Sequence, residues 1–126
     1  MDRRVISSGS SLEERFGYSR AVVTSNHVYV AGTAPIMPGD GDPPAGAYEQ
    51  MRRCLEIVGN ALAEAGAEFD DVVRTRVFLI DREDASEAMR AHGETFGAAR
   101  PACTAVVCEL LDERWLCELE VEAVLR

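Results

Sequence analysis

Apolar residues recur along this chain with two different periods, and each period predicts a different element. Over residues 47–65 they return every three or four positions, which predicts a helix that stops at Gly66. Gly59 inside this helix predicts close packing against another element, because glycine otherwise costs helix stability there. The same period predicts a second helix that begins at Asp81 as its N-cap and ends at Gly97.

Strands are predicted where branched and aromatic residues cluster or alternate with polar ones. These segments are residues 4–7, 19–24, 27–31, 72–80, 102–108 and 116–125. The turn residues Ser25 and Asn26 are predicted to join two of them into a hairpin. Residues 8–14 and 35–46 are rich in Gly, Ser or Pro and are predicted to be loops.

The order of these elements predicts an α+β fold. A helix between two strands implies a crossover, so we expect a mixed sheet with both helices on one face. The other face is then left bare, and a chain of this size covers such a face most readily with copies of itself. The last strand carries Glu118, Glu120 and Glu122 on one side and apolar residues on the other.

Composition and charge narrow the classes of function. The 126 residues fit one domain, 1–126. The formal net charge of -9 repels phosphate backbones, so no nucleic acid partner is expected. All 13 basic residues are arginine, which excludes a lysine Schiff base, a pyridoxal phosphate anchor and a P-loop lysine.

The chain carries no nucleotide, zinc or serine-hydrolase fingerprint, so neither a cofactor nor a metal is predicted. Its four cysteines, Cys54, Cys103, Cys108 and Cys117, form no CxxC pair. The charged N-terminal segment lacks the apolar stretch of a signal peptide, and no apolar run is long enough to cross a membrane. These features predict a cytoplasmic protein with reduced thiols and no membrane partner.

Six groups of short motifs follow one another along nearly the whole chain. They are Gly17-Tyr18-Ser19-Arg20-Ala21-Val22; Val28-Tyr29-Val30-Ala31-Gly32; Cys54-Leu55-Glu56-Ile57-Val58 with Ala65-Gly66; Asp71-Val72-Val73-Arg74-Thr75 with Val77-Phe78-Leu79; Phe96-Gly97 with Arg100-Pro101-Ala102; and Glu120-Val121-Glu122-Ala123. In this order, the motifs resemble the RidA/YjgF family of enamine and imine deaminases.

The resemblance implies a chorismate-mutase-like fold and a homotrimer, in which three sheets form a central barrel and ligand clefts lie between subunits. It implies hydrolysis of a reactive enamine or imine to a ketone and ammonia. The family's arginine that holds the substrate carboxylate falls at Cys103, its serine at Ala31 and its glutamine at Arg20. Since a thiol cannot make a bidentate contact with a carboxylate, an altered choice of substrate is expected.

The resemblance assigns catalytic roles to Glu120, which would position water, and to Tyr18, which would line the pocket. The candidates for substrate binding are Arg76, Cys103, Ala31, Gly32 and Arg20. Arg76 lies on a central strand and would supply the missing guanidinium. Arg20 follows Tyr18 by two residues and is expected to point the same way.

Most of these candidates have a structural alternative. Arg76 and Glu120 would also suit ion pairs within the sheet, and Arg20 a solvated surface position. Cys103 would also suit the role of a small buried hydrophobic residue. His92 lies on the inner face of the second helix and is expected to be packed rather than catalytic.

Three functions therefore remain open. The first is a deaminase with altered substrate choice. The second is a non-catalytic trimer that binds a small metabolite or a partner protein in the same clefts. The third is a ribonuclease or translation inhibitor, an activity ascribed to parts of this family and disfavoured here by the acidic charge.

Overall fold

The computed structural model describes residues 3–126, so Met1 and Asp2 of the predicted domain 1–126 lie outside it. Its strands are β1 (Arg3–Ile6), β2 (Ala21–Thr24), β3 (His27–Thr33), β4 (Val72–Leu79), β5 (Ala102–Val107) and β6 (Cys117–Val124). Its helices are α1 (Ser11–Phe16), α2 (Ala47–Glu64) and α3 (Ala85–Phe96), with short 3-10 turns at Pro38–Asp40, Phe69–Asp71 and Arg82–Asp84. Together they form a mixed α+β fold.

The six strands form one sheet in the order β1-β2-β3-β6-β4-β5. The β4–β5 pair is parallel and the other four pairs are antiparallel, which confirms the predicted mixed sheet. The β2–β3 hairpin is also confirmed, and Ser25 in its turn takes a left-handed φ of 51°. The C-terminal strand β6 lies in the middle of the sheet, between β3 and β4.

The core lies between one face of the sheet and the helices. Every second residue of β6 is buried there, from Cys117 to Ala123, as its alternating pattern predicts. The buried side of α2 packs on β3 and β6, and α3 packs beside α2. A Cβ on Gly59 would lie 2.9 Å from Cζ of Phe69, so the predicted close packing is confirmed.

The prediction of a loop over residues 8–14 is wrong, because α1 begins within it. The Ser10 side chain caps this helix by accepting from the Leu12 N–H, and Gly17 ends it with a left-handed φ of 77°. Both end signals were present in the sequence. The helix has only six residues, too few for an apolar period to be visible.

The predicted start of the second helix is displaced. The Asp81 side chain accepts from the Glu83 N–H and so caps the 3-10 turn Arg82–Asp84 instead of α3. The α-helix itself starts at Ala85, and Asp84 at its N-cap makes no side-chain capping bond. The sequence therefore located the helix but not its first turn.

The face of the sheet opposite the helices is uncovered in the single chain. We call it the bare face; it carries Tyr29 of β3, Arg76 of β4, and Glu120 and Glu122 of β6. All six residues of the edge strand β5 are exposed. Within residues 3–126, no helix has the length and apolar character needed to cross a membrane.

Candidate functional site

A cleft of about 390 Å³ lies on the bare face between β2, β3 and β6. It brings together three of the predicted site residues, Tyr18, Ala31 and Glu120. Tyr29 and Glu122 also line it and were not predicted. The signal was available, because residues two apart on a strand share a face and Glu122 follows Glu120 by two.

Tyr18 reaches this cleft because of how α1 ends. Gly17 takes the left-handed conformation, and the N–H groups of Gly17 and Tyr18 both donate to the Glu13 carbonyl at 2.9 Å. The chain is thereby turned toward the sheet one residue before Tyr18. Tyr18 is 43% exposed and lines the cleft.

Glu120 lies directly opposite Arg76 in the β4–β6 pairing. Arg76 Nη1 donates to Glu120 Oε1 at 2.5 Å and to Glu122 Oε1 at 3.2 Å. Hydrogen bonds to Glu120 and then to Glu122 raise the pKa of Arg76. Among the described residues, Arg76 Nη2 and Nε donate to no other group, and the side chain is 39% exposed. Arg76 does not itself line the cleft, and it is connected to the cleft through its bonds to Glu120 and Glu122.

The expectation that Arg20 points the same way as Tyr18 is wrong. Tyr18 lines the cleft, whereas Arg20 borders a separate hollow beside α2. Alternation applies only within a strand, and β2 begins after Arg20, at Ala21. Arg20 Nη2 donates to the Gly32 carbonyl at 2.6 Å, so this side chain is neither simply solvated nor placed against the cleft.

Ala31 and Gly32 form a bulge in β3. Val30 pairs with Val121 and Thr33 pairs with Leu119, so two residues of β3 oppose the single residue Glu120 of β6. Bulges redirect side chains and are frequent next to active sites. Here the bulge lies opposite the carboxylate that sequence analysis selected.

Cys103 lies far from the cleft within one chain. It pairs with Thr75 in the parallel β4–β5 register, so it lies on the helix side of the sheet rather than on the bare face. It is exposed, and the alternative of a small buried hydrophobic residue is therefore wrong for the single chain. All four cysteines are free thiols.

His92 is packed in the core, as predicted. It is 7% exposed, and its Nε2 lies 2.8 Å from Oγ1 of Thr75. The imidazole also packs against the ring of Phe96, with centroids 4.7 Å apart. Burial lowers the pKa of His92 from its ordinary value of 6.5. We assign this residue a structural role.

The buried imidazole makes a pH-dependent contribution to stability. Because the pKa is lower in the folded chain, the unfolded chain binds more protons below pH 6.5, and stability should fall as the pH decreases through that value. In His92→Gln this component should disappear, since an amide does not titrate. Urea unfolding midpoints of both proteins at about pH 8 and about pH 5.5 measure the difference. An equal loss in both proteins would contradict the assignment.

A larger hollow of about 480 Å³ lies on the helix side and is bordered by Arg52, Arg53 and Phe69. It contains none of the predicted site residues, and its two arginines are already paired, Arg53 with Glu56 and Arg52 with Glu94. We therefore place the candidate site in the smaller cleft. Within residues 3–126, no group of three or more His, Cys, Asp or Glu side chains is arranged to hold a metal ion.

The sheet has six strands, helices on one side and a cleft at the β3 bulge on the other. This architecture defines a class of α+β proteins, and comparison with known sequences identifies the class. The sequence model described as Endoribonuclease L-PSP matches residues 9–125. The chain belongs to this family, which is also called the YjgF/RidA family.

Several relatives span nearly the same length. An uncharacterized protein of Streptomyces coelicolor is 40% identical over 125 residues, covering 95% of this chain and 90% of its own. A goat protein named 2-iminobutanoate/2-iminopropanoate deaminase is 30% identical over 123 residues, covering 97% and 90%. The crystal structure of a YjgF/YER057c/UK114 family member from Mycobacterium tuberculosis superposes with a TM-score of 0.88, at 38% identity, over 98% of this chain and 100% of that one.

Proposed function

We propose that this protein hydrolyses a reactive enamine or imine to a ketone and ammonia. The observation that carries the proposal is the cleft, in which Tyr18, Ala31 and Glu120 meet although they lie far apart in sequence. The similarity to proteins named 2-iminobutanoate/2-iminopropanoate deaminase supports the same reaction class. No residue of this proposal requires a cofactor.

The reaction balances with water as the only co-substrate. An enamine first tautomerises to the imine. Water then adds its oxygen to the imine carbon, and one of its protons passes by way of Glu120 to the imine nitrogen, which gives a carbinolamine. The hydroxyl proton of the carbinolamine passes to the amino nitrogen as the C–N bond breaks, which releases ammonia and leaves the ketone. In this proposal Glu120 accepts a proton from the attacking water, and Tyr18 hydrogen-bonds the substrate.

Arg76 has two roles in this proposal. Its Nη1 holds the Glu120 carboxylate, and the other nitrogens of its guanidinium would bind a substrate carboxylate. The family resemblance assigns Cys103 to the position of the carboxylate-binding arginine, and on that basis we propose that the substrate choice differs from that of the named deaminases. Ala31 and Gly32, at the bulge opposite Glu120, would complete the substrate contacts.

A panel of freshly generated imines, some with and some without a carboxylate, tests the reaction. We expect catalysed ammonia release from at least one class, above the spontaneous hydrolysis rate. Wild-type protein that accelerates none of them would contradict the proposal. The alternative, a non-catalytic trimer that binds a small metabolite or a partner protein in the same clefts, would then take first place.

We further propose a homotrimer in which three bare faces form a central barrel and the clefts lie between subunits. The bare face and β5 expose apolar side chains that a second copy would cover, among them Val5, Tyr29 and Val106. A stable interface of this kind should bury roughly 1,000 Å² or more per subunit pair. Sedimentation at micromolar concentration should give the trimer mass. A monomer would remove both the assembly and the intersubunit clefts.

A ribonuclease is the other candidate, because the matching family model is described as an endoribonuclease. The net charge of -9 argues against it. We expect no binding of single-stranded RNA at physiological salt and low micromolar protein, measured by fluorescence anisotropy. A salt-dependent rise in anisotropy would overturn this expectation.

We also propose that residues 1–126 form a single domain, since buried residues from Ile6 to Ala123 belong to one apolar cluster. A cytoplasmic location stays a prediction from the sequence. One relative in yeast is named as a mitochondrial protein, so fractionation of the native cells is the direct measurement.

A further inference from the structure

The bulge opposite Glu120 is braced by a side chain outside the cleft. Arg20 Nη2 donates to the Gly32 carbonyl at 2.6 Å, and the Arg20 carbonyl accepts from the Ala31 N–H at 2.9 Å. Arg20 thus contacts both bulge residues, one through its side chain and the other through its backbone. Thr33 Oγ1 donates to the Ala31 carbonyl at 2.7 Å and completes the set.

Glu118 lies over the same bulge from the neighbouring strand. A Cβ added to Gly32 would lie 2.7 Å from Glu118 Oε1, closer than any real contact allows. Only glycine therefore admits the carboxylate at this place. The position of the Glu118 carboxyl group therefore depends on the absence of a side chain at Gly32.

The charges of Arg20 and Glu120 both act on the ionisation of Glu118. Burial raises the pKa of Glu118, the Arg20 guanidinium lowers it, and Glu120 raises it further. The pKa of the Cys54 thiol in α2 is raised by burial, by Cys117 and also by the charge of Glu118. Of the groups that shift the pKa of Glu118, Arg20 is the cation.

We propose that Arg20 and Glu118 are a positioning pair that fixes the Ala31–Gly32 bulge against Glu120. Neither residue lines the cleft. Arg20 holds the Gly32 carbonyl, and Glu118 occupies the space that a side chain at position 32 would fill. The inference rests on the proposed deaminase function only for its effect on catalysis; the coupling of the two side chains stands apart from it.

The coupling is tested without any activity. In Arg20→Met, the carboxyl carbon of Glu118 observed by NMR should titrate at higher pH than in the wild type, because the cation that lowers the pKa of Glu118 is gone. Arg82→Met is the matched control, since Arg82 is exposed on the turn before α3, and should leave this titration unchanged. An unchanged Glu118 titration in Arg20→Met would overturn the pair.

Catalysis is tested with the same protein on an imine that the wild type hydrolyses. Arg20→Met and Glu118→Ala should each lower kcat by about tenfold with a smaller change in KM, the scale expected when a catalytic group is displaced. The double variant should be no worse than the weaker single variant, because both changes release the same bulge. Effects that multiply, or an unchanged kcat, would overturn the proposal.

Gly32→Ala gives the same information without removing either partner. The added methyl must displace the flexible end of Glu118, so the chain should fold and kcat should fall as in Glu118→Ala. Full activity in Gly32→Ala would contradict the positioning role. If the wild type hydrolyses no imine, the proposed function fails, and the Glu118 titration alone then decides whether the pair exists.

Discussion

Glu120→Gln is expected to abolish imine hydrolysis and to leave the assembly intact. The amide keeps the shape of the side chain opposite Arg76 but cannot accept a proton from water. A loss of at least about hundredfold in kcat is the scale for removing a general base. Ammonia release under saturating imine gives the rate, and sedimentation gives the assembly.

The control for this variant is Glu83→Gln, which changes an exposed carboxylate on the turn before α3 and should keep full activity. Glu122→Gln is the closer comparison, because Glu122 shares the cleft and the Arg76 partner. It should lose less activity than Glu120→Gln, since its contact with Arg76 is the longer one. If Glu120→Gln retained wild-type kcat, water activation by this residue would be wrong.

Arg76→Ala is expected to lower kcat/KM on carboxylated imines by at least about tenfold, the scale of losing one charge-assisted contact. The variant removes the cation that a substrate carboxylate would meet and also leaves Glu120 and Glu122 facing each other without it. Imines without a carboxylate should lose less, because only the second effect applies to them.

The matched control is Arg74→Ala, which removes the same charge from the same face of β4 two residues further along the strand, opposite Glu122. It should change kcat/KM far less. Cys103→Ala should be nearly neutral, because the thiol supplies no charge to a carboxylate. A Cys103→Arg variant that alone hydrolyses carboxylated imines would show that the wild type has lost the family reaction.

Local patterns in the sequence were sufficient for most elements. The period of α2, its stop near Gly66 and the alternation of β6 each depend on neighbours within one turn or one strand, so they are readable without the fold. Helix α1 was missed because its six residues carry end signals but no period. The first turn of the second helix was misplaced because Asp81 caps a 3-10 turn as readily as an α-helix.

The candidate site was predictable where one strand or one short motif carries it. Glu120 and its neighbour Glu122 share a face by alternation, and the motif around Tyr18 pointed to the cleft. The predicted direction of the Arg20 side chain was wrong, because side chains alternate only within a strand and Arg20 precedes β2. No local pattern gives the exposure of Cys103 on an edge strand.

The sequence by itself determined the family, the mixed α+β fold and the acidic bare face, because these follow from motif order, residue periods and charge. Only the tertiary structure decided that β6 lies between β3 and β4, which places Glu120 opposite Arg76 on one side and opposite the Ala31–Gly32 bulge on the other. Strand order and bulges depend on pairings between residues distant in sequence. The reach of Arg20 to Gly32 is decided at the same level, since hydrogen bonds across strands leave no period in the chain.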